Sequence, residues 1–303
     1  MSANQTTGAY KTIGVIGKRH DARAAATALH VCELLEAMGR RILIEADTAK
    51  LMAVGNRDIG DHERLVRECD LVVVVGGDGT LLSAGRLFAP VGTPLLGVNQ
   101  GRLGFLVDVP PDEMRDTLQA VLRGDGTLDE RLLLQAQVRR ADGTLSDPLL
   151  AINDVVLRNQ ATIRLLDFET WLDDEFISAH RADGIIVSTP TGSTAYALSG
   201  GGPVLHPSLD AITLVPICPH TLSDRPIVVG ANRPIRIVLR GDIGGATATF
   251  DGQISLPLEP GDEIRISRSP HALRLIHPRR FAYFELLRNK LQWGRSPASL
   301  QNE

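Results

Sequence analysis

Three groups of residues in this chain have the types and spacing to do chemistry. The first is Gly76-Gly77-Asp78-Gly79-Thr80, which follows four valines, Val72 to Val75. A carboxylate among glycines can meet a phosphate-bearing ligand with no side chain in the way and can take a proton from it. The same residues also suit a plain strand-to-helix turn, because Asp caps helices and glycine bends tightly. The second group is the run Ala179 to Pro203, which carries Ser188, Thr189, Thr191, Ser193, Thr194, Tyr196 and Ser199 among five glycines. Read as one long loop, it is of the kind that is often functional. Its hydroxyls suit ribose, adenine edges and phosphate oxygens, or else the capping of its own backbone. The third is Asn153-Asp154, set among apolar residues in AINDVVL. It reads either as a turn between strands or as a polar pair aimed at ligand hydroxyls.

The elements that must position these groups fall into two regions. From about residue 11 to about 125, strands and helices alternate: TIGVIG, RILIEA, DLVVVV and GTPLLGVN are strand-like. Ala24, Ala28, Val31, Leu35 and Met38 recur at three and four, one face of a helix. HERLVREC and PDEMRDTLQAVLRG add two more helical pieces. The all-apolar DLVVVV predicts a parallel sheet covered on both faces. A second glycine loop, NQGRLGFL (Asn99 to Leu106), follows the next strand, so both loops belong at carboxyl ends of neighbouring strands, where open α/β sheets bind ligands.

After about residue 130 the helical rhythm stops. LLLQAQVRR, RLLDFETWL, ITLVPI, RPIRIVLR and DEIRISR are short strand-like runs, with Ala141–Gly143 and Leu172–Glu175 as hairpin turns. Ile235, Ile237 and Leu239 alternate with Arg236, Val238 and Arg240, as in a half-buried strand. The fold class predicted is an α/β domain with a parallel sheet, then a mostly-β, sandwich-like domain. The boundaries are 1–130, 131–276 and 277–303, the last holding a helix over Arg279 to Trp293 that the sequence permits to return to the first domain.

Composition narrows the function. The net charge is −4, without the basic excess of a nucleic-acid binder. Cys32, Cys69 and Cys218 are scattered and form no C-x-x-C pair, and the eight histidines show no H-E-x-x-H. The sequence holds no recognisable metal-ligand set, so no protein metal ligand is expected. The polar start and the lack of a long apolar run predict a cytoplasmic protein with no membrane partner. Neither a P-loop G-x-x-x-x-G-K-[ST] nor a G-x-G-x-x-G is present, which argues against P-loop NTPases and hydride-transfer dehydrogenases.

GGDGT, then N-x-G-x-L-G-F-L, Asn153-Asp154, DGIIVSTPTGSTAYALSGGGPVLHP and FDGQ, in this order along nearly the whole chain, resemble the NAD kinases. GGDGT alone is shared with lipid kinases and phosphofructokinases; the long hydroxyl-rich motif is specific. The resemblance implies phosphoryl transfer from ATP, or polyphosphate in some members, to the 2′-hydroxyl of the adenosine ribose of NAD, with Mg²⁺ arriving on the nucleotide. It implies that Asp78 is the catalytic base and, with Gly79, contacts NAD. It also implies that Asn153, Asp154, Arg164, Arg181, Asp183, Thr194, Ala195, Tyr196, Ala197, Leu198, Ser199 and Gln253 bind the dinucleotide. Some relatives carry Asn-Glu at 153–154, one methylene longer, and the arginine at 181 implies NAD rather than NADH. The family's subunits form homo-oligomers, here a dimer or tetramer, and contribute to each other's sites. Two other readings stay open at this point: another GGDGT-type kinase acting on a lipid or sugar, and a non-catalytic NAD-binding sensor.

Overall fold

The computed structural model describes residues 10–101, 104–159, 165–221, 223–241, 245–278 and 282–293. It divides into two compact units, one made of the chain up to Asp129 and from Arg274 onward, the other of Glu130–Leu273.

In the first unit β1 (Thr12–Gly17), β2 (Arg41–Glu45), β3 (Asp58–Gly60), β4 (Leu71–Gly76) and β5 (Leu95–Asn99) form a parallel sheet in the order β5-β4-β1-β2-β3. The connections carry α1 (Ala22–Ala37), α2 (Ala46–Ala49), α3 (His62–Glu68), α4 (Asp78–Phe88) and α5 (Met114–Leu122). Helix starts follow capping chemistry: Asp21 accepts the amides of Arg23 and Ala24, and Asp61 accepts that of Arg64. Ala24, Ala28, Val31 and Leu35 share one core with Val15, Val73, Leu118 and Val121. Gly14 turns to the opposite face of β1, where a Cβ would press to 3.1 Å from Cys69 Sγ. Every residue of β4 is buried, as a parallel strand covered on both faces requires.

The second unit is antiparallel. Its strands are β6 (Thr127–Arg139), β7 (Leu149–Ala151), β8 (Asp154–Asn159), β9 (Leu166–Leu172), β10 (Glu175–Ala182), β11 (Gly184–Ser188), β12 (Ala211–Ile217), β13 (Ile227–Gly230), β14 (Ile235–Arg240), β15 (Ala246–Phe250), β16 (Ile254–Leu258) and the long β17 (Glu263–His277), whose last residues belong to the first unit, as the first residues of β6 do. One sheet runs β13-β12-β11-β8-β15-β16; in the other, β10, β9, β14 and β17 are neighbours, with β6 beside β17 and β7 beside β6. Val155, Leu157, Ile185, Val187 and Phe250 of the first sheet pack with Phe168, Ile235, Ile237, Leu239 and Ile264 of the second. The alternation read at Ile235 to Arg240 is therefore that of a sandwich strand. The 141–143 turn closes with the amide of Arg140 on the carbonyl of Thr144, and Asp173 takes a φ of 51° in the β9–β10 hairpin.

One expectation needs correction. Ala179 to Pro203 is not a single long loop. It contains the end of β10, all of β11, a 3-10 turn at Thr191–Thr194 and a short helix α6 (Tyr196–Ser199). Ile185 and Val187 face the sandwich core while Ile186 lies under Ala197 of α6 with Val156 and Val215. A strand covered on both faces shows no alternation, so its pattern did not announce it.

At the end of the chain Leu275 pairs in parallel with Leu95 of β5, and α7 (Tyr283–Leu291) follows. Lys290 on α7 stands 5.7 Å from the centre of the Phe105 ring, so the terminal helix packs in the first unit. Of the helix expected over 279–293, residues 279–281 lie outside the described residues. No described helix is long and apolar enough to cross a membrane.

Candidate active site

Residue 78 is fixed by the strand before it and by a loop far along the chain. β4 and β5 are adjacent, with Gly76 opposite Asn99, so the loops that follow them share one end of the sheet. Gly76 has no room for a side chain: a Cβ there would approach Thr80 Oγ1 to 2.6 Å. The N-cap of α4 is Gly77, with no side-chain cap, and Asp78 opens the first turn. The capping role considered for Asp78 is thus not the one it plays. Its carboxylate turns instead to the second glycine loop, where Oδ2 accepts the amide of Phe105 (2.8 Å) and Oδ1 those of Leu106 and Val107 (both 3.1 Å). Gly104 makes this approach possible, because a Cβ there would overlap Oδ1.

A carboxylate has about four acceptor positions. Three positions on Asp78 are filled among the described residues, which leaves one on Oδ2. The group is half-buried, rigid and able to accept one further proton or O–H. Gly79 beside it is exposed.

In the second unit, Asn153 lies in the turn between β7 and β8, and Asp154 opens β8. Asp251 builds that turn: its carboxylate accepts the amides of Ile152 (3.0 Å) and Asn153 (2.7 Å) and, more weakly, of Asp154 (3.3 Å). Asp251 and Gly252 both have positive φ, 51° and 65°, which places this carboxylate at the tip of the β15–β16 hairpin. The turn is also held from the other side. Thr189 Oγ1 donates to the carbonyl of Ile152 (2.6 Å) and accepts the amide of Gly192, and Ser188 Oγ donates to the carbonyls of Asn153 and Thr189. Gly192 lies so close that a Cβ would collide with the carbonyl oxygen of Asn153.

These contacts sort the hydroxyl-rich run. Ser188, Thr189 and Ser193 are fully buried, and all three bond to backbone, Ser193 to the carbonyl of Pro190 and the amide of Leu205. They hold the loop rather than offer themselves to a ligand. Tyr196, by contrast, is 45% exposed. Ala195 and Tyr196 line a cavity of about 290 Å³ with Asn153, Asp154, Asp251 and Ser255. Asp154 is only 4% exposed, and its carboxyl is pushed up to about 7, first by burial and then by the charge of Asp251.

The remaining sequence-predicted residues fall elsewhere. Thr194 bonds the carbonyl of Thr191, Ala197 is buried under the helix, and Leu198 and Ser199 sit on its half-buried and exposed sides. Gln253 follows Gly252 with its amide on the carbonyl of Phe250. Arg181 is exposed near Asp167, 3.9 Å away, and Asp183 precedes β11. The register pairs Gly184 with Arg158 and Ser188 with Asp154, so Asp183 is five strand residues, about 16 Å, from the Asp154 end. The structure does not bring Arg181 and Asp183 into the cavity. Arg164 lies outside the described residues. Sequence reasoning missed Asp251 and the Gly104 to Val107 amides. The signal for Asp251 was present, since it stands two places before Gln253 in the FDGQ motif.

Among the described residues no group of three or more His, Cys, Asp or Glu side chains could hold a metal ion. Cys32 and Cys69 are buried, and burial pushes both thiols up to about 12, so they are inert at neutral pH.

In fold the chain is similar to solved dinucleotide kinases. It matches the yeast NADH kinase complexed with NADH with a TM-score of 0.88, at 24% identity, covering 96% of this chain and 89% of that one. An NAD kinase from Archaeoglobus fulgidus in complex with ATP matches with a TM-score of 0.71 at 25% identity, covering 93% and 98%. The sequence comparisons narrow the class. The ATP-NAD kinase N-terminal domain matches residues 13–126 and the ATP-NAD kinase C-terminal domain residues 152–278. The NAD kinase of Teredinibacter turnerae is 43% identical over 286 residues, 94% of this chain and 97% of the relative; that of Cellvibrio japonicus is 44% identical over 292 residues, 94% and 97%. The chain belongs to the NAD kinase family.

Proposed function

We propose that the protein is an enzyme that transfers the terminal phosphoryl group of ATP to the 2′-hydroxyl of the adenosine ribose of NAD, giving NADP and ADP. The observation that carries this is the Asp78 carboxylate, pinned by three amides with one acceptor position left. A hydroxyl is a poor nucleophile until its proton leaves. Asp78 accepts that proton as the oxygen attacks, and such a base contributes roughly 10²- to 10⁴-fold. Positioning and charge neutralisation supply the greater part in phosphoryl transfers. Mg²⁺ enters as the Mg²⁺ complex of ATP, part of the substrate, and offsets charge on the phosphate oxygens. A lipid or sugar substrate and a silent sensor have no support among the relatives.

Asn153, Asp154, the Thr194 to Ser199 segment, Gln253 and Arg164 bind the dinucleotide in this reading, and residues 131–276 are its dinucleotide-binding part. Residues 1–130 carry the base, and α7, in the segment 277–303, packs on that region. The distance of Asp183 from Asp154 within one chain supports a dimer or tetramer in which Arg181 and Asp183 serve a neighbouring subunit's NAD. The arginine at 181 favours NAD over NADH. The enzyme works in the cytoplasm.

The test is NADP formation from NAD and Mg²⁺-ATP, followed with an NADP-specific dehydrogenase, for wild type and Asp78→Asn. NADP from the wild type and at least about a hundredfold less from a folded variant is the expected result. Equal rates would remove Asp78 as base, and no NADP from the wild type with NAD still bound would leave a sensor.

A further inference from the structure

Asp154 is a buried carboxyl without a partner among the described residues. It lines the cavity beside Tyr196 and Asn153, and among the described residues no hydrogen bond or ion pair reaches its side chain. Leaving an ionised carboxylate in this state is costly, because nothing replaces the water it has lost. Its neighbour Asp251 has no such difficulty, since its carboxylate takes backbone amides of the 152–154 turn. Two carboxyls share this end of the cavity, and the environment treats them differently: one accepts backbone amides, and the other has, among the described residues, no donor of its own.

The other charged or titratable groups facing the cavity do not change this. Arg158 lies on the same face of β8, four residues along and about 13 Å of strand away, and pairs with no described carboxylate. Tyr196 reaches in from α6, and Thr249 and Ser255 carry no charge.

We propose that Asp154 holds a proton in the free protein and gives it up when the dinucleotide binds, so that capture of NAD is coupled to release of a proton. The proposal rests on the reading of this cavity as the place where NAD is held. A ribose diol brings two O–H donors. An ionised carboxylate accepts both, whereas the protonated acid has one oxygen occupied by its own hydrogen. Hydrogen bonds to the charged form are roughly twice as strong as neutral ones, which favours loss of the proton on binding. The O–H bond of the Asp154 carboxyl breaks, its electrons stay on the carboxylate, the proton passes to solvent, and the ligand's bonds are untouched. The upward shift of this carboxyl to about 7 puts the event in the physiological range.

The measurement is calorimetric titration of the full-length protein with NAD, without ATP, in two buffers of different ionisation enthalpy between about pH 6 and pH 8. NAD itself does not titrate there. Release of about one proton at the acid end, falling toward none at the alkaline end, is expected, with affinity rising about tenfold between them. Asp154→Asn should flatten both trends. NAD binding with no proton exchange, with proton uptake, or with the same release in a folded Asp154→Asn variant would overturn the proposal and leave the kinase reading standing. Absence of NAD binding at every pH would overturn both, and the NADP assay on the same preparation separates a failed site from failed protein.

Discussion

Gly104 and Asp78 are in contact through the space a side chain would need: a Cβ on Gly104 would overlap Asp78 Oδ1. The glycine is what lets three successive amides converge on the carboxylate. Gly104→Ala should therefore displace the base while leaving the sheet intact. The expected outcome is a folded protein with kcat reduced about a hundredfold or more. Gly101→Ala, in the same loop with open space around the added methyl, should stay within about threefold of wild type. Circular dichroism and NADP formation on the pair check this.

Asp251 carries the cavity turn, although it was not among the residues the sequence singled out. Asp251→Ala removes the acceptor for the amides of Ile152 and Asn153 and puts a side chain with no turn-forming group at a φ of 51°. A loss of about 1–3 kcal/mol and a raised KM for NAD are expected. Asp251→Asn keeps an acceptor and tolerates the backbone, so it should lose less. It also removes the charge facing Asp154, so the pH midpoint of NAD binding should move down. Denaturant unfolding and KM across pH test both parts.

Thr189 is a tie rather than a ligand contact. Thr189→Val keeps the shape but leaves the Ile152 carbonyl and the Gly192 amide without their hydroxyl partner. The expected cost is about 1–3 kcal/mol, read as a lower unfolding midpoint. A large drop in NAD affinity with unchanged stability would instead make Thr189 a binding residue.

The buried Asp154 also sets a pH dependence of stability. Its folded value near 7 lies above the ordinary 3.8, so between these values the folded state holds a proton that the unfolded chain has released. The unfolding free energy contributed by this group is therefore full below about pH 4 and falls as pH rises toward 7, by up to about 4 kcal/mol. Relative to wild type, Asp154→Asn should gain stability across that window and level off above it. Urea midpoints of the two proteins at matched pH give the comparison.

Much of the architecture could be read from residue order. The helical spacing of Ala24 to Leu35 emerged as the buried face of α1, and the unbroken valines before Gly76 as a strand covered on both sides. The change of rhythm near residue 130 reflects two real packing problems: helices on a sheet need a 3.6 period, and sheets face to face need alternation. β11 escaped notice because α6 covers its outer side, so Ile185, Ile186 and Val187 are all buried and no alternation remains.

The sequence by itself determined which residues can carry chemistry, because residue type fixes acid–base and hydrogen-bonding capacity. Asp78 among glycines, Asn153-Asp154 and the Ser and Thr cluster were all visible there. The tertiary structure alone decided how that capacity is used. It filled the buried hydroxyls of Ser188, Thr189 and Ser193 with backbone partners, brought amides from 27 to 29 residues downstream onto Asp78, and gave Asp251 its amides while leaving the Asp154 side chain none among the described residues. Such assignments depend on which donors and acceptors the fold brings within bonding distance and how much water it removes. Neither quantity is a property of any short stretch of chain.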